Sequence, residues 1–157
     1  MNKLTTNLWF DTEGEEAVDF YLSIFKDGKK GNVVRYTEVG QEVHGQAPGS
    51  VMTTEFEILG QQFVALNGGP IFKFNEAISF VVNCETQEEI DYYWNKLSAV
   101  PEAEQCGWLK DTYGVSWQIV PTALLEELTG SDPEKSGRVM AAMLKMKKMD
   151  IEALKAA

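Results

Sequence analysis

The side chains most capable of acid–base, nucleophilic or redox chemistry are few in this sequence. It contains one histidine, His44, in a loop, and two cysteines, Cys84 and Cys106. The cysteines are too far apart to form the short-spaced pair typical of redox or zinc sites. No neighbouring histidine or basic partner is evident to activate either thiol, so both are interpreted as buried and unreactive. His44 is interpreted as a solvated loop residue, with a lid over a cavity as the alternative.

Polar and aromatic side chains that alternate along predicted strands are better candidates for a site. Alternation places Asn7 and Trp9 on one face of the first strand, and Ser116 and Gln118 on one face of the last. An apolar cavity with a few hydrogen-bonding groups is typical of small-molecule sites. The alternative is that these side chains only fill the concave face of a sheet. The predicted ligand-binding residues are Asn7, Trp9, Asn67, Phe72, Phe74, Ser79, Trp108 and Gln118.

The elements that must position these residues follow from the apolar pattern. In the first half, a helix from Glu13 to about Phe25 is predicted from apolar residues at helical spacing. Short runs rich in β-formers predict strands. The first half therefore reads β-α-β-β-β, with strands Leu4–Phe10, Val33–Val39, Val51–Leu59 and Gln62–Asn67 and a loop over residues 40–50.

The second half predicts strand, helix and two strands, and leaves room for one further short strand. These elements are Ala77–Asn83, Gln87–Val100, Gln105–Lys110 and Val115–Val120. Beyond them, Ala123–Leu128 is predicted as a short helix. A second helix begins at Ser131–Glu134, where a capping side chain precedes proline. Its methionine-rich face is expected to cover the sheet or a second subunit.

The two halves are similar to each other. A shift equal to the separation of Asp19 and Asp91 aligns Asp19–Tyr21 with Asp91–Tyr93 and Val18 with Ile90. A long period that occurs only twice indicates a duplicated supersecondary module rather than a solenoid. Two such curved modules can enclose a cavity, which is where ligands commonly bind.

Composition limits the class of protein. The 157 residues are 44% hydrophobic and 24% charged, with a net charge of −10, and they are most simply one domain. This charge and the lack of a basic stripe argue against nucleic-acid binding. No apolar run approaches the length of a membrane span, and the N-terminus lacks a signal-type apolar segment. A cytoplasmic location is expected, because two unpaired cysteines suit a reducing compartment.

Several segments together resemble the PhnB-like family of the vicinal-oxygen-chelate superfamily, which includes glyoxalase I, extradiol dioxygenases and bleomycin-resistance proteins. Members of this family often carry the description 3-demethylubiquinone-9 3-methyltransferase. The resemblance covers nearly the whole chain. The segments that carry it are Leu8–Asp11, Glu15–Ala17, Phe20–Tyr21, Gly49–Met52, Ala65–Pro70, Phe72–Phe80, Cys106–Asp111 and Tyr113–Pro121.

The resemblance implies an α+β fold in which two βαβββ modules form a curved mixed sheet, followed by C-terminal helices. The expected modules span about residues 1–70 and 71–121, with a helical extension over residues 122–157, all within a single domain 1–157. Family proteins commonly form homodimers, so a homodimer is expected here as well. Methyl transfer is not expected, because Gly68–Pro70 does not open the helix that a nucleotide-type cofactor site requires.

Enzymes of the superfamily hold one divalent cation with four inward-facing side chains, usually histidine and glutamate. The resemblance places those positions near Thr5, Val64, Ala77 and Gln118. Because valine and alanine cannot ligate and threonine and glutamine are weak ligands, neither a metal centre nor any other cofactor is expected.

Three functions therefore remain open. The first is a metal-independent small-molecule-binding protein. The second is a metal-dependent lyase, isomerase or dioxygenase, with an atypical site that uses Glu55, Glu57 and Gln118. The third is a homodimeric interaction protein without a ligand. Whether the protein is an enzyme is left undecided.

Overall fold

The computed structural model describes residues 2–157. The chain divides into two compact units, Met1–Lys73 and Phe74–Ala157. The prediction of a single domain with modules over residues 1–70 and 71–121 stays a prediction. Among the described residues, no helix combines the length and the apolar character needed to cross a membrane.

The first unit is a four-stranded mixed sheet with one face covered by a helix. Along the chain it contains β1 (Thr6–Phe10), α1 (Gly14–Ile24), β2 (Lys29–Arg35), the short α2 (Gln41–His44), β3 (Val51–Ile58) and β4 (Gln61–Asn67). The strands lie in the order β1-β4-β3-β2, and β1 runs parallel to β4 while the other pairs are antiparallel.

The covered face of this sheet forms the core of the first unit. Along α1 the apolar residues recur at helical spacing, so Val18 and Tyr21 are fully buried against the sheet. Tyr21 stacks on Phe56, and Phe56 stacks on Phe63 of the neighbouring strand at 5.1 Å between ring centroids. Strand alternation leaves the opposite face, called here the first open face, with half-buried side chains.

The second unit combines a three-stranded sheet with four helices and one 3₁₀ turn. The sheet has the order β5-β7-β6, in which β5 and β7 are parallel. Its elements are β5 (Ser79–Cys84), α3 (Gln87–Leu97), the 3₁₀ turn Pro101–Ala103, β6 (Trp108–Lys110), β7 (Ser116–Pro121), α4 (Thr122–Leu128), α5 (Pro133–Leu144) and α6 (Ile151–Ala156).

Helix α3 covers one face of this sheet with Ile90, Trp94 and Leu97, which are buried. Alternation along β7 directs Trp117 and Ile119 into the same core. The other face carries Ser79, Gln118 and Trp108 and is called the second open face.

The predicted capping at the start of α5 is confirmed. Asp132 accepts hydrogen bonds from the backbone N–H groups of Glu134 and Lys135, and Pro133 is the first residue of α5. Asp150 accepts one from Ala153 N–H at the start of α6. Within the second unit, Val139 and Leu154 of these helices are fully buried, so the extension contributes to the core of that unit.

The predicted α+β class is confirmed, but several predicted element bounds were wrong; β6, for example, begins at Trp108 rather than at Gln105. The second strand is Lys29–Arg35 rather than Val33–Val39, because Lys29 and Lys30 already pair with β3, and the chain leaves β3 after Arg35. The predicted loop over residues 40–50 contains α2. The second unit has three strands among the described residues, as its own pattern predicted, rather than the four of a full βαβββ module.

Candidate functional site

A cleft of about 510 Å³ opens on the first unit. Its volume falls within the range of roughly 300–1,000 Å³ that is common for small-molecule sites. The cleft is lined by Thr5, Lys29, Lys30, Gly31, Asn32, Glu55, Phe56, Glu57, Gln62, Phe63 and Val64. None of these is among the eight predicted ligand-binding residues, although Asn7 pairs directly with Val64 across β1 and β4.

The charged residues that line the cleft are two glutamates of β3 and two lysines of β2. Glu55 and Glu57 are two residues apart, so both project from the first open face, where they are half-buried. Lys29 lies opposite Glu57 in the antiparallel pairing of β2 and β3. Within residues 2–157 neither Glu55 nor Glu57 forms an ion pair, whereas Lys30 is held by Asp19 of α1 at 2.6 Å. The two carboxylates are therefore available to a ligand.

A bulge in β2 shapes one wall of the cleft. The register between β2 and β3 shifts between Lys30 and Val33. A Cβ at Gly31 would lie 3.0 Å from Cβ of Glu55, so glycine permits the close approach of the two strands. The backbone N–H of Asn32 points to the Glu55 carboxylate at 3.4 Å. The sequence analysis named Glu55 and Glu57 only for an atypical metal site together with Gln118. Their alternation with buried residues along β3 is the sequence signal that places both on this face.

The predicted site residues of the first unit divide into two kinds. Trp9 donates its indole N–H to the carbonyl of Gly69 at 2.9 Å and contacts the Phe72 ring edge-on at 4.9 Å. Asn67 is buried, and its side chain joins two backbone segments: Oδ1 accepts from Gly14 N–H and Nδ2 donates to the Val51 carbonyl. Trp9 and Phe72 thus form an aromatic pair, while Asn67 has a structural role.

The second open face is organised in transverse rows. Val81, Gln118 and Trp108 are direct neighbours on β5, β7 and β6, and Ser79, Ser116 and Lys110 form the next row. The Gln118 amide donates a hydrogen bond to Ser79 Oγ at 2.9 Å. Three of the predicted residues therefore lie on one face of this unit: Ser79, Gln118 and Trp108. Phe74, the first residue of the unit, is half-buried.

The surroundings of His44 and Cys84 indicate structural roles for both side chains. His44 Nδ1 accepts from Gln46 N–H at 2.9 Å, its Nε2 lies 3.1 Å from the Val39 carbonyl, and its ring packs on Tyr36. Burial, and secondarily the charge of Glu89, raises the pKa of the Cys84 thiol to about 12, which keeps this thiol neutral. Cys106 is half-buried rather than buried, in a turn where its φ is 50°.

The residues at the superfamily's usual metal positions do not fit a divalent cation. Thr5 and Val64 line the cleft, Ala77 is exposed, and the Gln118 amide is bonded to Ser79. Two of the four are hydrocarbon side chains, which offer no lone pair. Residues 2–157 also contain no group of three or more His, Cys, Asp or Glu side chains arranged to hold a metal ion.

Comparison with known proteins places the fold in the glyoxalase-like, vicinal-oxygen-chelate class. A Bacillus cereus PhnB protein, whose description also names 3-demethylubiquinone-9 3-methyltransferase, is 35% identical and has a TM-score of 0.62, over 77% of this chain and 100% of that one. A protein from Pseudomonas aeruginosa shares the fold at 15% identity and a TM-score of 0.57, over 77% of this chain and 98% of that one. No curated protein matches.

The family model for 3-demethylubiquinone-9 3-methyltransferase matches residues 2–120, and the chain belongs to this family, the PhnB-like proteins. The methyltransferase in the family's description does not fit the residues present. S-adenosylmethionine sites usually combine a doubly wound parallel sheet with a glycine-rich turn that opens a helix. Here Gly68 and Gly69 follow β4, but the next element along the chain is strand β5, and the next helix after β4 begins only at Gln87.

Proposed function

We propose that the protein binds a small organic molecule on its open sheet faces and does so without the metal centre that is usual in the superfamily. The cleft of about 510 Å³ on the first unit carries this proposal. It is large enough for a small ligand, and it combines two half-buried carboxylates with the polar side chains of Thr5, Asn32 and Gln62. A cleft of this volume with only a few polar groups is typical of sites that bind organic ligands.

The predicted binding residues extend this proposal beyond the cleft. Asn7, beside Val64, and the aromatic pair Trp9 and Phe72 belong to the first unit. Ser79, Gln118 and Trp108 provide the polar and aromatic groups of the second open face. Asn67 supports the site by bonding the backbone of α1 and β3 rather than by contacting the ligand. The role of Phe74 stays a prediction.

The test is binding of four ring compounds that differ in charge to protein stripped of metal with EDTA and then desalted. The probes are benzylamine, benzenesulfonate, benzyl alcohol and phenylalanine, and binding is followed by NMR chemical shifts of backbone amides. We expect saturable shifts with at least one probe, centred on the open faces and unchanged when Mn²⁺, Ni²⁺ or Zn²⁺ is added.

A matched pair of variants assigns the cleft. Changing Glu55→Gln and Glu57→Gln together is expected to weaken benzylamine binding about tenfold, because hydrogen bonds to charged groups are lost. Glu42→Gln, an exposed carboxylate of α2, is the control and leaves binding unchanged. Binding that appears only after metal is added supports the metal-dependent lyase, isomerase or dioxygenase instead. Absence of saturable binding by all four probes refutes the proposal.

The homodimer remains a prediction beside this function. Leu125, Met140 and Leu144 of α4 and α5 are exposed apolar side chains, which are the residues a subunit contact would cover. Light scattering of the purified protein over a range of concentrations tests it, and a constant monomer mass refutes it.

A further inference from the structure

Ser116 is a polar side chain whose hydrogen-bonding capacity is unused. The residue is 2% exposed, and its Oγ has no hydrogen-bond partner within residues 2–157. Buried hydroxyl groups without a partner are uncommon, because each one loses its hydrogen bonds to water without replacement. Ser116 lies on the second open face, between Ser79 on β5 and Lys110 on β6.

A charged pair connects β6 with the turn that precedes β5. Lys110 Nζ forms an ion pair with the carboxylate of Glu76, which lies in the turn before β5. Lys110 belongs to the edge strand β6, Glu76 lies shortly before the other edge strand, β5, and Ser116 lies on the middle strand, β7. The side chain of Lys110 is 26% exposed, while that of Glu76 is 59% exposed.

The three residues of this row are called the donor row: Ser79, Ser116 and Lys110. Ser79 Oγ accepts a hydrogen bond from Gln118, which leaves its own hydrogen available to donate. The hydroxyl hydrogen of Ser116 and the ammonium of Lys110 are the other donors. Because neighbouring strands are only about 5 Å apart, three donors in one row can converge on the oxygens of a single anionic group.

Among residues 2–157, Glu76 is the only carboxylate that forms an ion pair with Lys110. Asp111 is next to Lys110 in sequence but belongs to the opposite side of the strand, where it accepts hydrogen bonds from the Trp117 indole and from Val115 N–H. The only ion pair of Lys110 with a described residue is the one with Glu76. Hydrogen bonding to Lys110, together with its charge, lowers the pKa of Glu76, so this carboxylate is ionised at neutral pH.

We propose that the donor row binds the oxyanion of a small organic acid, and that Glu76 occupies this position until the acid displaces it. The inference rests on the proposed function, because it assigns a ligand class to the second open face. Displacement exchanges one carboxylate for another oxyanion at Lys110, so the lysine keeps a charge partner. The ligand then satisfies Ser116, which Glu76 leaves without a partner. Trp108, in the adjoining row, offers a flat apolar surface for the ligand's body.

The test compares benzenesulfonate with benzenesulfonamide, a neutral compound of nearly the same shape, by NMR titration of the full chain. Glu76→Gln removes the competing carboxylate from an exposed position, and it is expected to tighten benzenesulfonate binding about two- to fivefold. Lys110→Met and Ser116→Ala are each expected to weaken it about tenfold, through loss of a hydrogen bond to a charged group. Benzenesulfonamide binding is expected to change in none of the three variants.

The control is Lys135→Met, which breaks the Lys135–Glu127 ion pair in the helical part of the same unit. It should leave benzenesulfonate binding unchanged. Circular dichroism melts confirm that each variant is folded, and Glu76→Gln keeps the test decisive even if Lys110→Met is unstable. Unchanged affinity in Glu76→Gln, or no benzenesulfonate binding by that variant, refutes the donor row as an anion site. If benzylamine still binds the first-unit cleft, the proposed function survives that refutation.

Discussion

The two units of this protein are alike on their covered faces and different on their open faces. Each begins with a strand followed by a helix, and each pairs its first strand in parallel with its last. The helices bury equivalent residues, Val18 in α1 and Ile90 in α3, and both are fully buried. The first open face carries the carboxylates of Glu55 and Glu57, which form no ion pair with a described residue, whereas the second carries hydroxyl, amide and lysine donors.

The two units therefore share the kind of packing that stabilises them and differ in the chemistry of their open faces. Core side chains are constrained by close packing, so substitutions there are costly. Side chains on an open face contact few neighbours and can be exchanged at little cost in stability. The difference between the units is therefore concentrated on the open faces, where we propose that ligands bind.

The largest expected effect concerns the covered faces. Ile24→Ala in the first unit and Ile90→Ala in the second each remove a buried side chain, and each is expected to reduce the free energy of unfolding by about 2–5 kcal/mol. Urea unfolding followed by circular dichroism measures both. A cost below about 1 kcal/mol for one variant alone would show that the two covered faces are not equivalent.

The next effect concerns the turn between β6 and β7, which is built around a buried carboxylate. Asp111 accepts hydrogen bonds from Tyr113 N–H, Val115 N–H and the Trp117 indole. Asp111→Ala leaves these donors without that acceptor and is expected to destabilise the protein by about 3 kcal/mol. Glu102→Ala, an exposed residue of the same unit, is the control. Equal urea midpoints for the two variants would contradict this role of Asp111.

A smaller effect is expected at the Trp9 corner of the first unit. A Cβ at Gly68 would lie 2.3 Å from the Trp9 ring, so Gly68→Ala must displace the indole. The expected cost is about 1–3 kcal/mol, with a change in tryptophan fluorescence. Gly137→Ala in α5 is the matched control, since its Cβ meets open space and alanine favours helix by about 1 kcal/mol. Unchanged fluorescence in Gly68→Ala would contradict the contact.

The smallest effect near neutral pH concerns the two cysteines. The pKa of Cys84 rises from 9.0 to about 12 in the folded protein, mainly through burial. A raised thiol pKa contributes stability that is present below pH 9 and is lost as the pH rises towards 12. At pH 8 we expect iodoacetamide to label Cys106 in the folded protein and Cys84 only in denaturant, as measured by mass spectrometry. Equal labelling of both thiols in the folded protein would contradict the burial of Cys84.

Periodicity predicted most of the fold because the buried stripes of α1 and α3 and the alternation of β3 are strong patterns. It failed at Lys29 and Lys30, where charged residues pair within an edge strand that an apolar pattern does not reveal. Segment 37–50 was also misjudged, because α2 is a single turn with no buried residues.

The site was only partly predictable from the sequence. Alternation grouped Ser79 and Gln118 correctly on one face, since strand side chains repeat every second residue. Alternation could not show that the Asn67 side chain is hydrogen-bonded to the backbone, because those bonds join it to Gly14 and Val51, which are distant in sequence. Nor could it show that Lys110 reaches Glu76, since the order of strands in the sheet decides which residues become neighbours.

In each unit, the parallel pairing of the first and last strands also determines when the sheet can form during synthesis of the chain. Strand β1 cannot pair until β4 has been synthesised, because Thr6 pairs with Phe63. Strand β5 likewise cannot pair until β7 has been synthesised, because Ser79 pairs with Ser116. Contacts so distant in sequence form slowly, because a long loop has to close before they stabilise anything. As the chain emerges from the ribosome, the first unit can complete its sheet before the second has begun. Between the synthesis of β1 and that of β4, and again between β5 and β7, a strand with apolar residues is exposed without its partner strand. These are the two stages of synthesis at which binding by a chaperone would be most useful.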